Sequence, residues 1–591
     1  MSFTPSLDAI RFTLLDVVGL DPLSATGAFD DLSTDLVDAM LTEAGRVATE
    51  VLAPLYRAGD QVGCRIADGV VTTPPGFADA YRLLVEGGWN TLAAPKAYGG
   101  QGYPRLLALA VHDLFMAANL AFSLNPMLTQ GAVEALAVHG TPEQQRLYLP
   151  KLVTGEWTGT MNLTESHAGS DVGLLRTRAV PAGDGTYRLS GTKIFITWGE
   201  HDVAENIIHL VLARLPDAPS GTRGISLFLV PKFLVNPDGS LGARNDLKAV
   251  SLEHKLGIHA SPTCVMSYGE HDEAIGTLVG AENRGMAAMF TMMNDARLNV
   301  GLQGVGVAER AFQAALAYAQ ERRQGRALGS KDDGPSPIIA HPDVRRMLAS
   351  MKADLEAARA ICYATAQALD LAHTAPDETA RAEAQVRADL LTPVAKAWST
   401  DIGMAAASTA VQVHGGMGFI EETGVAQILR DARIPPIYEG TNGIQAIDLV
   451  TRKLPMEGGR VVERHLQDIA ATAQALAELD APLGRQLAAA ERALARATAY
   501  LMDAAKRAPN DVLAGATPYL SLFGHVTGGQ FLGKGVLAAA RGPHGKAFAD
   551  ARLALARHFA ATRLAEADAL ATAVTAGSAN LDALGPEALA I

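Results

Sequence analysis

The chain has 591 residues, enough for roughly four domains of about 150 residues each. Its 50 Lys and Arg against 63 Asp and Glu leave a net charge of −13, which argues against a general nucleic-acid binder, and 48% hydrophobic residues exclude wholesale disorder. Cys64, Cys264 and Cys362 lie too far apart for a disulfide framework or a four-thiolate zinc site, and fit a reducing, cytoplasmic setting.

No basic region precedes an apolar stretch at the N-terminus, so no targeting segment is expected. From about Asp35 to Leu149 the pattern is helical, with Leu36, Ala39, Met40 and Val47 on one face. Leu114–Val133 lacks charged residues but holds Asn119, Asn125, Pro126 and Gln130; Gly403–Ile420 holds four glycines and His414. Lipid could not satisfy those polar groups, so both read as buried helix and loop of a soluble protein with no integral membrane segment.

Near Gly155 the texture changes. Trp157–Thr164, Tyr187–Leu189, Lys193–Thr197, Asn206–Ala213 and Ile225–Pro231 read as strands. Gly183-Asp184-Gly185, Ser190-Gly191 and Pro219-Ser220-Gly221 read as the turns between them. After Gly285 the chain is helical again, over Arg297–Arg323, Pro342–Leu371 and Arg381–Ala410, with a polar loop at Gly329–Pro337. From about Gly458 it is Ala-rich and helical. Helices, a β domain, then helices is not the strand–helix alternation of a doubly wound nucleotide-binding fold.

Several motifs fail. Gly528-Gly529-Gln530-Phe531-Leu532-Gly533-Lys534 nearly spells a phosphate-binding loop, but Gly535 stands where Ser or Thr should bind magnesium. There is no H-E-x-x-H and no G-x-S-x-G. Glu253-His254, His271-Asp272 and His201-Asp202 lack metal-ligand spacing and read as surface or capping pairs, so no metal site is expected.

Three segments remain. Met161 to Asp171 is a strand end rich in hydroxyls and small residues, whose main-chain N–H groups suit close approach of a ligand. Such residues also populate ordinary turns. In Lys193 to Gly199, strand alternation puts Phe195 and Thr197 on one face, a ring and a hydroxyl beside each other for a flat heterocycle, or an ordinary core strand. The third runs from Gln412-Val413-His414-Gly415-Gly416 through Arg430-Asp431-Ala432 to Tyr438-Glu439-Gly440-Thr441-Asn442. Glu439 follows an apolar pair after Pro435-Pro436, a place for a desolvated general base, although most loop acids are solvated.

In this order and spacing the segments resemble the acyl-CoA dehydrogenase flavoenzyme family over about residues 35–450. Thr164-Glu165 with Ala168-Gly169-Ser170-Asp171 is similar to its first signature, and Arg430-Asp431-Ala432 with Tyr438-Glu439-Gly440-Thr441 to its second. Leu7–Gly19 and the tail after Gly458 resemble the long subfamily that includes the 3-methylmercaptopropionyl-CoA dehydrogenases. The resemblance implies a mainly α fold with a central all-β domain. It divides into an N-terminal extension (1–34), a helical domain (35–156), a β-barrel or sandwich (157–280), a four-helix bundle (281–455) and a C-terminal helical extension (456–591).

The resemblance also implies roles. FAD is the expected cofactor, lined by Met161, Leu163, Thr164, Gly169, Ser170, Phe195, Ile196 and Thr197. Arg322 and Gln324 fall at a pyrophosphate-binding position acting across a subunit interface, and Gln412, His414, Gly415 and Gly416 at the adenosine end, also in trans. Thr441 and Asn442 fall in a further FAD-contacting stretch. Ser170, Asn294, Arg297 and Gly440 are the expected acyl-CoA contacts and Glu439 the catalytic base. Ser166-His167, Phe195, Asn294, Gly325 and Gly443 depart from the usual family residues. The implied reaction is α,β-dehydrogenation of an acyl-CoA to a trans-2-enoyl-CoA in fatty acid β-oxidation. The implied partners are an electron-transferring flavoprotein and further copies of the chain, as a homodimer or a dimer of dimers. Two alternatives are a flavin oxidase or monooxygenase of the same fold and a DNA-binding flavoprotein of the adaptive-response type. The second would need a basic tail surface, for which Arg541, Lys546, Arg552 and Arg557 are the candidates.

Overall fold

Turn chemistry explains the first strands. In the computed structural model, which describes residues 3–29, 32–271, 274–331 and 333–591, β1 (Arg65–Ala67) and β2 (Val70–Thr72) form a hairpin inside the stretch read as helical. Asp68 and Gly69, with φ of 50° and 76°, make the two-residue turn such a hairpin favours. Val71 enters the core of the β domain.

The β domain comprises β3 (Trp157–Asn162), β4 (Arg178–Pro181), β5 (Tyr187–Thr197), β6 (Asn206–Arg214), β7 (Ile225–Pro231), β8 (Phe233–Val235), β9 (Leu241–Arg244), β10 (Leu247–Leu252), β11 (Thr263–Tyr268) and β12 (Ala274–Val279). The main sheet has the order β10-β11-β5-β12-β7-β6-β3, with β4 pairing β5 and β6, while β8 and β9 pair separately. Among the described residues, only β3 and the single-residue contact of β4 run parallel to β6. β5 departs from expectation: Ser190-Gly191 is not a turn, and one strand runs through it. Gly191 is required because a Cβ there would lie 2.7 Å from Thr177 Oγ1. The β5–β11 register then slips between Met266↔Lys193 and Cys264↔Ile196, with Phe195 at φ 61°. This bulge replaces the simple alternation expected at Phe195 and Thr197.

The chain divides into two units, one of Met1–Gly45, Arg105–Ala117 and Val300–Ile591, the other of Arg46–Pro104 and Ala118–Asn299. The first is helical. Its long helices end the Gly285–Glu321 segment and include Pro342–Thr374 and Glu378–His414. Arg359 is wholly buried there, its Nε 2.6 Å from Asp113 Oδ2 and its Nη2 2.8 Å from Glu309 Oε2. Ser6 Oγ donates to Glu309 over 2.6 Å, tying the N-terminal segment to this charge cluster.

The C-terminal extension folds as helices Arg460–Leu479, Ala481–Ala504, Pro509–Arg541, Lys546–Thr562 and Ala567–Thr575. The near P-loop lies within the Pro509–Arg541 helix, where Gly528 packs on Ala357, Phe559 and Trp398. Arg563 bonds Asp354 over 2.6 Å and Arg552 bonds Glu356, joining the extension to the Pro342–Thr374 helix. Arg557 pairs with Asp480 and Lys546 with Asp550, so three of the four basic residues weighed for a nucleic-acid surface carry acidic partners. Among the described residues, no helix is long and apolar enough to cross a membrane.

Candidate active site

In the β-containing unit the structure brings the first two segments together. Thr160 Oγ1 donates to the Thr197 carbonyl over 2.7 Å, and Ile194 N–H donates to the Thr164 carbonyl over 2.9 Å. Lys193 Nζ lies 2.9 Å from both the Leu163 carbonyl and Glu165 Oε1. Lys193 is wholly buried and Glu165 nearly so. Glu165 also accepts from the N–H groups of Arg176 and Thr177 and from the Thr177 hydroxyl. Burial alone would raise its carboxyl, but Lys193 and these donors bring it down to about 2. Burial lowers the Lys193 ammonium to about 8 against the opposing pull of Glu165.

The segment beyond closes on itself, Glu165 and Ala168 exchanging main-chain hydrogen bonds of 3.1 and 3.0 Å. Ser166 and His167, the departures from the usual pattern, sit at its exposed tip. Gly169 and Ser170 follow on the surface, and no atom stands within 4 Å of a Cβ built on Gly169. Met161 and Ile196 are buried, Leu163, Thr164 and Thr197 half-buried, and Phe195 is 58% exposed at the bulge. In the same unit Arg297 is buried and its Nη1 donates to the exposed Asn294 Oδ1 over 3.3 Å. The neighbouring acid, Asp295, accepts from Asn299 over 3.1 Å.

The other expected residues lie in the helical unit. Arg322 and Gln324 are exposed, with Arg322 Nη2 3.4 Å from Gln324 Oε1. His414 ends its helix stacked on Tyr318, ring centroids 4.2 Å apart. Its Nδ1 is 2.7 Å from the Ala410 carbonyl, so Nδ1 carries the proton. Burial pulls its pKa down, favouring the neutral ring. Gly415 breaks the helix at φ 61°, and Gly415 and Gly416 have open space where a Cβ would stand. Gln412, Met417, Phe419 and Ile420 are exposed around them.

Glu439 is half-buried on a loop at φ 56°, a conformation costly for a residue with a Cβ. The loop is pinned on both sides. Tyr438 Oη donates to the buried Gln303, and burial pushes the phenol's pKa up, so it keeps its proton. Asn442 donates to the Ala397 carbonyl, Thr400 Oγ1 and Asp401 Oδ1, the last over 2.7 Å, and accepts from Lys396 over 2.9 Å. The Asn442 amide is therefore spent on the Glu378–His414 helix, and its main-chain N–H donates to the Pro436 carbonyl over 3.0 Å, closing the loop on itself. Thr441 Oγ1 accepts from Ile444 N–H at the start of the next helix. Gly440 follows at φ 83°. A cavity of about 580 Å³ opens beside this loop, lined by Asp401, Arg433, Ile437, Thr441 and Gly443 among others.

Sequence reasoning missed the groups that hold these segments: Lys193, Gln303 and Lys396. Lys396 carried a signal, a lone cation in the apolar run Pro393-Val394-Ala395-Lys396-Ala397-Trp398. Of the surface and capping readings, His201 departs from the first: it is buried, its Nε2 2.9 Å from Thr158 Oγ1, while its Nδ1 accepts from Val203 N–H over 3.3 Å in a capping contact. Asp202 accepts from Thr73 in a part-buried contact, and Asp272 and Asp332 lie outside the described residues.

With this geometry stand the comparisons with known proteins. The acyl-CoA dehydrogenase N-terminal, middle and C-terminal domains match residues 37–156, 160–269 and 283–454, and an acetyl-CoA dehydrogenase C-terminal-like domain matches 465–584. The chain belongs to the acyl-CoA dehydrogenase family. It is 47% identical over 97% of its length to the 3-methylmercaptopropionyl-CoA dehydrogenase of Ruegeria pomeroyi, 98% of which is covered. Among solved structures it resembles Caenorhabditis elegans ACDH-11 in complex with C11-CoA, with a TM-score of 0.77 at 20% identity, covering 95% of this chain and 92% of that one. It also resembles an acyl-CoA dehydrogenase from Bacillus anthracis complexed with FAD, with a TM-score of 0.74 at 22% identity, covering 92% and 89%.

Proposed function

We propose that this enzyme uses FAD to convert an acyl-CoA to its trans-2-enoyl-CoA, with Glu439 as the base that removes the α-proton. The residues present suit a flavin dinucleotide. Phe195 offers an exposed ring for a flat heterocycle, Arg322 an exposed cation for phosphate, and Gly415 and Gly416 bare main chain for a ribose or adenine. When bound, the flavin accepts the hydride leaving the β-carbon.

The chain supplies the rest. An α-proton of a saturated thioester is removable at neutral pH only if the carbonyl is polarised, and the Glu439 main-chain N–H is the donor we assign to it. The Glu439 carboxylate takes the proton, and the anchored Tyr438 and Asn442 on either side fix its position. The Lys193–Glu165 pair holds the Leu163 carbonyl and the Glu165–Ala168 turn, and so shapes the wall assigned to the ring. The substrate class is that of the Ruegeria relative, a short acyl-CoA. An electron-transferring flavoprotein then takes the electrons. Arg322 and the Gln412–Gly416 loop, exposed beside Leu328 and Phe419, serve the flavin of a second copy in a homodimer or larger assembly. Buried or half-buried reduced thiols support the cytoplasm as its setting.

The observation that carries this reading is Glu439 in a left-handed loop pinned at Tyr438 and Asn442. Anaerobic mixing of the holoenzyme with 3-methylmercaptopropionyl-CoA tests it: the flavin absorbance should bleach. A spectrum that stays oxidised with this and other short acyl-CoAs defeats the proposal.

A further inference from the structure

Arg214, the last residue of β6, clamps two surface loops of the β domain together. Its Nε donates to the Leu175 carbonyl over 3.0 Å, its Nη1 to Pro219 over 2.9 Å, and its Nη2 to Gly221 over 2.8 Å and to Gly173. Gly173 and Leu175 belong to the loop that follows Ser170; Pro219 and Gly221 belong to the β6–β7 connection. A Cβ on Gly173 would stand 3.4 Å from the Thr222 nitrogen, so the two loops meet main chain to main chain. One guanidinium, spent on four carbonyls, thus fixes a rim next to Ser170.

The rim is cationic in a chain of net charge −13. Arg176 adjoins Leu175 and Arg223 lies two residues past Gly221; both are exposed, and neither guanidinium has an ion pair or hydrogen bond among the described residues. The acids nearby do not neutralise them. Glu165 is held by Lys193, Asp171 accepts from Gly173 N–H over 3.0 Å, and Asp217 is exposed without an ion pair. Leu174, 58% exposed, offers an apolar surface on the same loop, and its carbonyl accepts from His167 Nε2 over 3.1 Å. Two unpaired arginines on loops locked in contact, with an exposed apolar side chain between the clamped carbonyls of Gly173 and Leu175, suit phosphates carried on an aromatic base. Arginine's planar fork matches phosphate oxygens.

We propose that Arg176 and Arg223 bind the phosphates at the nucleotide end of CoA. The proposal rests on the acyl-CoA dehydrogenase reading above, in which Ser170, on the same rim, contacts the acyl-CoA. The pantetheine arm of a thioester held at Ser170 leads outward to the rim, where the two guanidiniums meet the phosphates and Leu174 covers a face of the adenine. Arg214 touches no phosphate; it positions the two loops. The pyrophosphate of FAD is the other source of the same chemistry, and the test separates the two.

The test sets 3-methylmercaptopropionyl-CoA against the same acyl group on pantetheine, which lacks the nucleotide. The wild-type holoenzyme should favour the CoA ester in kcat/KM by about tenfold for each arginine engaged, the weight of one charge-assisted hydrogen bond. That preference should shrink as sodium chloride is raised. In Arg176→Gln and Arg223→Gln, and further in the double variant, the loss should fall on KM rather than kcat, as when binding common to ground and transition states is removed. Melting temperatures should not fall, because neither guanidinium has a protein partner. Lys506→Gln, which removes an exposed cation of the C-terminal extension, should keep the wild-type preference. Calorimetric titration of the holoenzyme with CoA, 3′-dephospho-CoA and pantetheine reads the recognition apart from chemistry. If CoA binds more tightly than pantetheine, the double variant loses that difference, and no acyl-CoA bleaches the flavin, the dehydrogenase reading fails and the phosphate site stands. If the wild type treats CoA and pantetheine alike, or the double variant keeps the difference, the assignment is overturned. A double variant that keeps the difference but loses its flavin gives the arginines to the pyrophosphate of FAD, which overturns it too.

Discussion

Gly524 lies against the face of Trp398 so closely that a Cβ on it would stand 2.4 Å from the ring atoms Cγ and Cδ1. Trp398 belongs to the Glu378–His414 helix and is 2% exposed; Gly524 belongs to the central helix of the C-terminal extension. The extension is therefore packed into the bundle at a seam where side-chain volume is not tolerated. Gly524→Leu should destabilise the protein by at least the ~1–3 kcal/mol typical of overpacking. The reading is a lower melting temperature with FAD bound, together with faster proteolysis after Gly458. Unchanged melting would show that the extension is not held at this seam.

Much of the architecture was legible because its causes are local. The apolar periodicity of Pro342–Leu371 and Arg381–Ala410 and the β-branched runs of Asn206–Ala213 and Ile225–Pro231 fall within observed helices and strands. The glycines misled where their cause is distant. Gly191 looks like a turn residue, yet it is small because Thr177 presses on it from β4's side of the sheet, a contact no local pattern records. The β1–β2 hairpin carried its own signal in Asp68-Gly69 but was hidden by helical surroundings. Of the candidate site, the motifs assigned to the ligands could be picked out from the sequence, and the groups that hold them in place could not. Asn442 could be picked out, but that its amide is consumed by Lys396, Thr400 and Asp401 depends on packing against a helix some forty residues earlier.

The Lys193–Glu165 pair should be neutral in sum and costly in halves. The folded Glu165 carboxyl at about 2 lies below its ordinary 4.5, so it contributes stability above 4.5 that is lost as pH falls toward 2. Lys193 at about 8 lies below its ordinary 10.5, so its burial costs stability below pH 8, a cost relieved as pH rises from 8 to 10.5. The two contributions oppose each other at neutral pH. Lys193→Met should destabilise by about 3–5 kcal/mol, leaving a buried carboxylate uncompensated. Adding Glu165→Gln should restore part of that loss, since the amide oxygen still accepts from Thr177. Denaturant unfolding of the single and double variants decides it; equal losses in both would dismiss the pairing.

Arg322 should control cofactor retention. Its guanidinium is exposed, with Nη2 3.4 Å from Gln324 Oε1, so its removal should cost the fold little. If it holds the pyrophosphate of a neighbouring copy, Arg322→Ala should lower FAD occupancy and weaken the assembly together, because one charge-assisted contact links the two. Arg322→Lys should recover less than the full effect, lacking the bidentate fork. Flavin content per chain and sedimentation at fixed protein concentration are the measurements. Full occupancy in Arg322→Ala would remove Arg322 from the site.

Glu439→Gln isolates the chemical step. The substitution keeps side-chain size and leaves Tyr438–Gln303 and the Asn442 contacts untouched, so the left-handed loop should persist. FAD should still bind, because Thr164, Thr197, Arg322 and the Gln412–Gly416 loop are unchanged. Acyl-CoA should still bind, because a neutral amide introduces no repulsion with a thioester. An amide cannot accept the α-proton, so flavin reduction should slow by at least the ~10²–10⁴-fold that a lost general base costs. On anaerobic mixing with 3-methylmercaptopropionyl-CoA, the wild type should bleach. The variant should show only a ligand-induced shift of the oxidised flavin spectrum. That shift separates loss of chemistry from loss of binding: a variant that neither bleaches nor shifts has lost its substrate site, and Glu439 would then be a binding residue. Bleaching at the wild-type rate would show that the proton goes elsewhere, with Glu421 and Glu422, on the turn after Phe419, the next acids to replace.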